Sequence, residues 1–526
     1  MEKWSVIKHY RDILSLEDGY IIKNGKTKVA LLYPNRYEIA CQNLGFQEVY
    51  SFLNSIEGVS CERFVLDFYE DNLSIETQKF ISEFEIIFVS INYEEDVLNL
   101  IKFLNDQKIN VFSQDRNIFD PLIIAGGALT FLNPFSLLSI ADFQLLGDLQ
   151  PMKEDINYLL SKLEGRNERV TFLKSLSYCI YKERKTPAKI VYKKDKTPAC
   201  STIKTSKGKF TSEFLIEMSI GCRYACRFCS ASYIYNPYRV MDFDRLYDIL
   251  ETKAFSNNIG IISAVFGDLK NIKTHLKKLH QKDKSISVSS LRIDTLDSEL
   301  LSLLHQCGVK SITVAEETAA AHLKKLINKN IDENKIYDAI KHIGISGISN
   351  LKLYYIIGLP GESLDDIKLL TERISKISEL FLTIQAKNHQ KIGKIKVSIN
   401  IFIPKPFTPM QYFPLEKKET LNKKIKFLQK ELNKVSNLKY DIMSFTSAYL
   451  QATLSRAEYG IDQFYKLFLN TKNAKSALKS FDSNAHTCFD ENYQFVWEKM
   501  VEPNFDLNIL KREFKKGKEA IKDACS

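Results

Sequence analysis

Residues 221–229 read Gly-Cys-Arg-Tyr-Ala-Cys-Arg-Phe-Cys, and this short stretch decides how the rest of the chain is interpreted. Its three cysteines, Cys222, Cys226 and Cys229, are separated by three and then by two residues. Thiolates at this spacing can hold one metal centre from a single loop. A structural zinc site normally has four protein ligands and would need a fourth from elsewhere in the chain. An iron–sulfur cluster anchored by thiolates can instead leave one iron open.

The chain around this loop repeats a strand–helix unit six times within residues 205–435. Six such units predict a partial (βα)6 barrel, related to the eight-stranded TIM barrel, with the cysteine loop after its first strand. Catalytic groups of such barrels gather at the carboxyl ends of the strands, so the loop lies at the predicted active face. The predicted strands are Phe214–Met218, Gly260–Phe266, Ser285–Leu291, Ser311–Ala315, Lys352–Ile357 and Lys396–Phe402, and the predicted helices are Phe243–Thr252, Ile272–Gln281, Asp297–Gln306, Lys335–Ile343, Leu364–Ile377 and Lys418–Leu432.

Residues 1–195 alternate short apolar runs with segments of helical periodicity, which predicts an α/β domain with a doubly wound parallel sheet. Ligands of such sheets bind outside the carboxyl ends of the strands. Residues 436–526 are predicted to form a helical C-terminal region, whose lysine-rich end favours a solvated amphipathic helix over a nucleic-acid site. The strands predicted in the first domain are Val29–Tyr33, Arg63–Asp67, Ile86–Ser90, Leu122–Ala125 and Phe143–Leu146.

Composition fits an intracellular enzyme of two or three domains, since 526 residues exceed one ordinary core. No apolar run is long enough to span a bilayer, and the first ten residues lack the apolar segment of a secretion signal. The other seven cysteines have no disulfide-like rhythm, so we expect a reducing cytoplasm. The net charge of +10 is small for this length and permits a nucleic-acid partner without favouring one.

Polar residues and glycines follow the other predicted barrel strands. A cofactor that contains an ammonium group, a ribose and an adenine would need a hydrogen-bond acceptor for the ammonium, polar groups for the ribose and an apolar edge for the adenine. Glycine at these positions would let the backbone approach the cofactor closely. The candidate residues, in strand order, are Gly267, Asp268, Ser290, Arg292, Glu317, Ile357, Gly358 and Asn400.

The cysteine spacing, with the aromatic Phe228 before the last cysteine, resembles the signature of radical S-adenosylmethionine (radical SAM) enzymes. The resemblance implies a [4Fe–4S] cluster on the three cysteines, whose open iron binds the methionine part of S-adenosylmethionine. It also implies that Gly267-Asp268 stands for the family's glycine-rich, acid-ended motif, although the residues here are Phe-Gly-Asp and not Gly-Gly-Glu. Glu317 is similar to a carboxylate that approaches the cofactor, and residues 354–362 are similar to an adenine-contact motif.

Residues 31–37, 43–47, 290–294 and 397–409 further resemble one uncharacterised branch of this superfamily, in which a cobalamin-binding-like domain precedes the radical core. One departure is residues 147–150, which read Gly-Asp-Leu-Gln where relatives tend to read Gly-Glu-Gly-Glu. No histidine lies between Tyr10 and Thr274, so any cobalamin would bind without a histidine ligand from the sheet domain. The loops expected to bind it are Tyr33–Tyr37, Ser90–Tyr93 and Gly126–Leu129; the alternative is that only the fold is kept, as a lid or platform.

The resemblance implies an enzyme that cleaves S-adenosylmethionine reductively, with an electron from a donor such as flavodoxin or ferredoxin. The 5′-deoxyadenosyl radical would then abstract hydrogen from a substrate that the sequence does not identify. One alternative is a methylthiotransferase-like tRNA modification enzyme, which holds a second cluster on three N-terminal cysteines; only Cys41 and Cys61 are assigned to the sheet here. The other alternative is a zinc-dependent or nucleic-acid-binding module.

Overall fold

The protein divides into two compact units in a computed structural model that describes residues 3–68, 72–207, 213–389 and 392–522. The residues after 436 are mostly helical, as predicted, but they also contain the strands Leu438–Ile442 and Val501–Glu502. They are shared between the two units and do not form a unit of their own. Unit 1 consists of Met1–Ile216, Thr453–Ser483 and Gln494–Asn504, and unit 2 consists of Glu217–Ala452, Asn484–Tyr493 and Phe505–Ser526.

Unit 1 is built on a six-stranded sheet whose strand order is β2-β1-β3-β4-β5-β6. The first five strands run parallel, and β6 is antiparallel to β5. The order reverses between β1 and β3, which makes this the switch point of a doubly wound sheet. The strands are β1 (Thr27–Leu32), β2 (Val59–Phe64), β3 (Ile86–Ser90), β4 (Leu122–Gly126), β5 (Phe143–Leu145) and β6 (Cys179–Ile180).

The strands β1 to β4 are almost continuously buried, as is typical of a parallel sheet that is packed on both faces. The predicted parallel sheet is therefore confirmed, with two differences of detail. Strand β2 starts and ends earlier than predicted, and the short antiparallel β6 was not predicted, since two residues carry no periodicity. The helices of unit 1 are Lys3–Leu14, Tyr37–Ala40, Leu44–Ser55, Asp96–Asp106, Ala128–Leu132, Lys153–Ser161, Gly165–Ser175, Ile461–Thr471, Ala474–Lys479 and Val496–Met500; its short strands are Glu17–Asp18, Ala188–Lys189, Lys204–Thr205 and Val501–Glu502.

Unit 2 contains a series of strands connected by helices, which confirms the predicted partial barrel. Strand β7 ends at the boundary of the units, and the next residue, Met218, donates its N–H to the Ile262 carbonyl of β8 at 2.9 Å. A parallel bridge between Leu291 and Val314 links the second sheet segment to the first. Of β7 (Glu213–Glu217) only Glu217 belongs to unit 2. The other strands, all in unit 2, are β8 (Asn258–Ile262), β9 (Ser285–Val288), β10 (Ser311–Glu317), β11 (Asn350–Ile357), β12 (Ile395–Ile401) and β13 (Leu438–Ile442).

The barrel has one strand more than predicted, because β13 pairs in parallel with β12. Strand β8 also ends at Ile262, four residues before the predicted end at Phe266, and residues 266–268 form a 3-10 turn. The observed first residues of the helices agree with the predicted ones to within about two positions. Asp297 caps the helix Ser298–Gln306, because its side chain accepts the Leu300 N–H. The helices are Phe243–Thr252, Ile272–Gln281, Ser298–Gln306, Ala321–Leu326, Glu333–Ile345, Leu364–Lys387, Lys418–Leu432, Phe445–Ser455 and Asn508–Lys522; the short strands are Ser219–Ile220 and Arg239–Val240.

Within the described ranges, every helix is too short or too polar to cross a lipid bilayer.

Candidate metal centre and cofactor site

The cysteine loop is closed by a short antiparallel pair, Ser219–Ile220 with Arg239–Val240. Gly221 has φ +80°, and a Cβ there would lie 2.7 Å from the Tyr235 carbonyl oxygen, so only glycine fits this turn. Cys226 is buried, and Cys222 and Cys229 are half-buried. The Cys229 N–H donates to the Cys226 carbonyl at 3.2 Å, which tightens the end of the loop. Phe228 lies half-buried beside it.

The three thiols interact electrostatically with one another. Burial raises the pKa of Cys229 to about 12, and the neighbouring Cys226 and Cys222 thiols add to this rise. Burial also raises the pKa of Cys226, while Lys329 and Arg292 lower it in part. The Cys226 and Cys229 thiols therefore favour their protonated form, and a metal that binds them would displace those protons. In the described parts of the chain, no three Cys, His, Asp or Glu side chains form a group that could hold a metal ion.

Asp268 contacts the cysteine loop from the 3-10 turn after β8. Its carboxylate is 9 % exposed, and Oδ1 pairs with Arg223 Nη2 at 3.1 Å. The other oxygen, Oδ2, is buried and accepts no hydrogen bond from the protein. Gly267 is required for packing, because a Cβ there would lie 2.6 Å from Thr295 Oγ1. The turn thus presents a buried carboxylate oxygen beside the thiols that can accept a hydrogen bond from a ligand.

Arg292 approaches the same loop from the segment after β9. Its guanidinium lies 3.7 Å from the centre of the Tyr224 ring and makes two hydrogen bonds with Asp294, of 2.9 and 2.8 Å. Ser290, two residues earlier, is exposed. Arg292 therefore belongs to the group around the thiols.

Glu317 is the last residue of β10; its backbone is in the left-handed region, and its side chain has a buried partner, Lys329. Its φ is +70°, at a β-bulge between Ala315 and Glu317. Its carboxylate accepts a hydrogen bond from Lys329 Nζ at 2.9 Å, and both side chains are almost buried. Lys329 was not predicted from the sequence, because it lies in an irregular segment after the short helix Ala321–Leu326, where neither periodicity nor a motif singles it out.

The neighbouring Glu316 has a different environment. It accepts hydrogen bonds from Arg373 at 3.0 Å and Tyr355 at 3.1 Å and forms an ion pair with Lys324 at 2.8 Å, all of them buried. These three contacts hold Glu316, and with it the end of β10, in a fixed position. Glu316 therefore has a structural role, whereas Glu317 pairs with Lys329 near the cysteine loop.

The remaining candidates lie at their predicted strand ends but make no described contact with this group. Ile357 is fully buried, and Asn400 is exposed. Gly358 has φ +75°, and its N–H donates to Glu362 Oε2 at 2.7 Å. The structure thus brings together the cysteine loop, Asp268, Arg292, Glu317 and Lys329, whereas Ser290, Ile357, Gly358 and Asn400 stand apart from them.

Two protein-family models match this chain, and one of them includes the residues around the cysteine loop. Residues 45–181 match the family described as the N-terminal region of radical SAM proteins, and residues 216–374 match the radical SAM superfamily. Together the two matches cover more than half of the chain. The second match includes the cysteine loop and the ends of β8, β9 and β10.

The chain is also similar to individual proteins. It is 28% identical over 466 residues to an uncharacterised protein of Methanocaldococcus jannaschii, with 87% of this chain and 94% of the relative aligned. The solved radical SAM methyltransferase TsrM from Kitasatospora setae, with cobalamin and a [4Fe–4S] cluster bound, is 13% identical; the match covers 74% of this chain and 77% of that one, with a TM-score of 0.49. The cobalamin-dependent enzyme OxsB with aqua-cobalamin is 16% identical, with coverage of 66% and 52% and a TM-score of 0.44.

The family matches and the three-cysteine loop at the carboxyl end of a partial barrel lead to one conclusion: this chain is an enzyme of the radical S-adenosylmethionine superfamily.

Proposed function

We propose that the enzyme holds a [4Fe–4S] cluster on Cys222, Cys226 and Cys229 and cleaves S-adenosylmethionine reductively. The observation that carries this proposal is the position of Asp268 beside the cysteine loop: Arg223 of the loop pairs with its Oδ1, and its buried Oδ2 has no partner in the protein. When bound, such a cluster supplies one electron that splits the cofactor into methionine and a 5′-deoxyadenosyl radical, and this radical abstracts hydrogen from the substrate.

The chain's own residues have separate tasks in this proposal. Asp268 accepts a hydrogen bond from the cofactor's ammonium, because Arg223 occupies only its other oxygen. Glu317, held by Lys329, supplies a second fixed carboxylate on the next strand but one. Arg292 adds a fixed positive charge beside Tyr224. Gly358, Ile357, Ser290 and Asn400 remain proposed contacts for the rest of the cofactor.

The proposal includes a one-electron donor such as flavodoxin or ferredoxin, and a reducing compartment such as the cytoplasm. The nine cysteines in the described ranges are all free thiols. Thiol ligands of an iron–sulfur cluster need protection from oxidation.

Cobalamin is proposed as a second cofactor, for methyl transfer, at the switch point of the unit 1 sheet. The loops after β1 and β3 meet there: Asn35 donates to Asp96 at 2.8 Å, and Asn99 donates to the Pro34 carbonyl at 3.0 Å. Unit 1 contains a single histidine, His9, and its Nε2 already pairs with Asp67 at 2.8 Å. Desalting after incubation with hydroxocobalamin tests this: one retained corrin per chain supports the cofactor, and its complete loss favours a platform.

The methylthiotransferase alternative requires a second cluster site in unit 1. Unit 1 contains four cysteines and not the two predicted, because Cys179 in β6 and Cys200 before β7 join Cys41 and Cys61. Burial is the largest cause of the raised pKa values of Cys41, Cys61 and Cys179. About four irons per chain supports our proposal, and about eight supports the alternative.

The decisive experiment is anaerobic reconstitution with iron and sulfide, followed by dithionite and S-adenosylmethionine. We expect a brown protein with a [4Fe–4S] signal that releases 5′-deoxyadenosine. The Cys226→Ala variant should lose both signal and product, whereas Cys488→Ala, at an exposed cysteine, should keep both. An intact cluster without cofactor cleavage contradicts the proposal, and a colourless protein that contains zinc indicates the zinc module.

A further inference from the structure

Arg227 lies between the second and third cysteines, yet its side chain is buried and directed into the protein. Its Nε and Nη2 donate to Glu513 Oε2 at 3.1 and 3.0 Å. Its Nη1 donates to the carbonyls of Lys325 and Leu326 at 2.7 and 3.0 Å. These four bonds use most of the five N–H groups of a guanidinium, an arrangement that lysine cannot reproduce.

The backbone of Arg227 is fixed as firmly as its side chain. Its N–H donates to the Ile327 carbonyl at 2.9 Å, and its carbonyl accepts from the Met410 N–H at 3.2 Å. Asn328 Nδ2 also donates to the Ala225 carbonyl at 2.9 Å. The cysteine loop is thus attached to the segments that follow two other barrel strands.

Glu513 belongs to the C-terminal helix, Asn508–Lys522, which contacts the same segments. Phe514 packs against the rings of Tyr412 and Phe413, with centroid distances of 4.8 and 4.9 Å. A Cβ on Gly517 would lie 3.4 Å from both Arg227 Cδ and the Leu326 carbonyl oxygen, so the helix backbone approaches the loop closely. Further along, Ile521 occupies the space where a Cβ of Gly361 would be.

The charge on Glu513 is preserved in this contact. Burial alone would raise its pKa, but hydrogen bonds from Lys516 and Arg227 hold that pKa below its usual value. A buried ion pair adds little stability over an apolar pair, yet removal of one partner leaves an uncompensated charge. The Arg227–Glu513 pair therefore specifies where the helix and the loop meet.

We propose that the C-terminal helix keeps the cysteine loop in the shape that a cluster requires, with Arg227 and Glu513 as positioning residues. No residue of this helix is a cluster ligand in the proposal. The inference rests on the proposed function, since it takes the three cysteines as ligands.

The test compares Glu513→Ala and Arg227→Lys with the wild-type protein and with Glu519→Ala, a matched change at an exposed carboxylate of the same helix. Each protein is reconstituted anaerobically and then exposed to an iron chelator. We expect cluster loss at least tenfold faster from both loop–helix variants, with an altered EPR signal of the reduced cluster, and wild-type behaviour from Glu519→Ala.

Thermal unfolding of the iron-free proteins separates positioning from general stability. The proposal predicts that the midpoints of Arg227→Lys and Glu513→Asp stay close to the wild-type midpoint while their EPR signals change. Wild-type cluster retention and EPR signals in all variants would overturn the inference, and so would a loss of cluster that only parallels a loss of fold. A wild-type protein that binds no cluster would instead refute the proposed function itself.

Discussion

Lys329 Nζ lies 2.9 Å from Glu317 Oε1, and this buried pair is where the end of strand β10 meets the cysteine loop. The backbone of Glu317 is in the left-handed region, which a residue with a side chain adopts at a cost. The ammonium of Lys329 also lowers the pKa of Cys226, against the larger effect of burial. One lysine thus acts on a candidate cofactor ligand and a candidate cluster ligand.

Lys329→Met should destabilise the protein, because it leaves the Glu317 carboxylate buried without a counter-charge. We expect the free energy of unfolding to fall by about 3–5 kcal/mol. Adding Glu317→Gln in the same chain should recover most of this loss, since no charge is then left unpaired. Urea unfolding of the two single variants and the double variant measures the coupling. A single variant as stable as the wild type would show that the pair contributes nothing.

Asp268→Asn should weaken the binding of S-adenosylmethionine and leave the cluster in place. The substitution keeps the side-chain shape but removes the charge that a ligand ammonium would meet; loss of such a charged hydrogen bond costs about 1.5–3 kcal/mol, so the Kd should rise roughly tenfold or more. Equilibrium dialysis of the reconstituted protein measures the Kd, and iron analysis checks the cluster. Asp283→Asn, at an exposed turn residue, is the control and should bind as the wild type does. An unchanged Kd for Asp268→Asn would remove Asp268 from the site.

Glu362 should give the stability of unit 2 a pH dependence between about 4.5 and 7. Its carboxyl contacts Lys424, as does Glu416, and burial raises the pKa of Glu362 to about 7 despite Lys424. Since the pKa is higher in the folded than in the unfolded state, the carboxyl contributes stability below pH 4.5, and this contribution is lost as the pH rises towards 7.

Glu362→Gln should therefore flatten the dependence of unfolding free energy on pH in that window, by up to about 3 kcal/mol. Urea unfolding at a series of pH values gives the comparison. The exposed Glu379→Gln should follow the wild-type curve. Parallel curves for Glu362→Gln and wild type would mean that Glu362 stays ionised throughout.

Asn133 should be essential for holding residues 453–457 in unit 1, the unit that the chain rejoins at Thr453. Its Nδ2 donates to the carbonyls of Ser455 and Ala457 at 3.0 and 2.9 Å, and the side chain is fully buried. Asn133→Ala leaves two buried acceptors unsatisfied, which should cost about 2–4 kcal/mol. The exposed Asn157→Ala of the same unit should cost little. Protection of residues 453–457 from proteolysis should fall in the first variant and not in the second.

The sequence was informative where local patterns carry the structure. Continuous apolar runs predicted β1, β3, β4 and β5 to within about two residues at either end, because buried parallel strands need them. Strand β13 was missed, since Lys439 and Asp441 make its half-exposed run polar. Lys329 was missed because it acts through a contact across twelve residues that no spacing rule describes. The division of residues 453–504 between the units depends on contacts far apart in sequence, such as Asn133 with Ser455.

The distance along the chain between Arg227 and Glu513 has a consequence for synthesis. The two residues are 286 positions apart. At about 5–20 residues per second, a ribosome needs roughly 15 to 60 seconds to pass from one to the other. During that interval the nascent chain carries its three thiols without the helix that later contacts Arg227 between them. Iron, sulfide or an oxidant can therefore reach the cysteine loop of the growing chain before residues 508–522 are available to contact it.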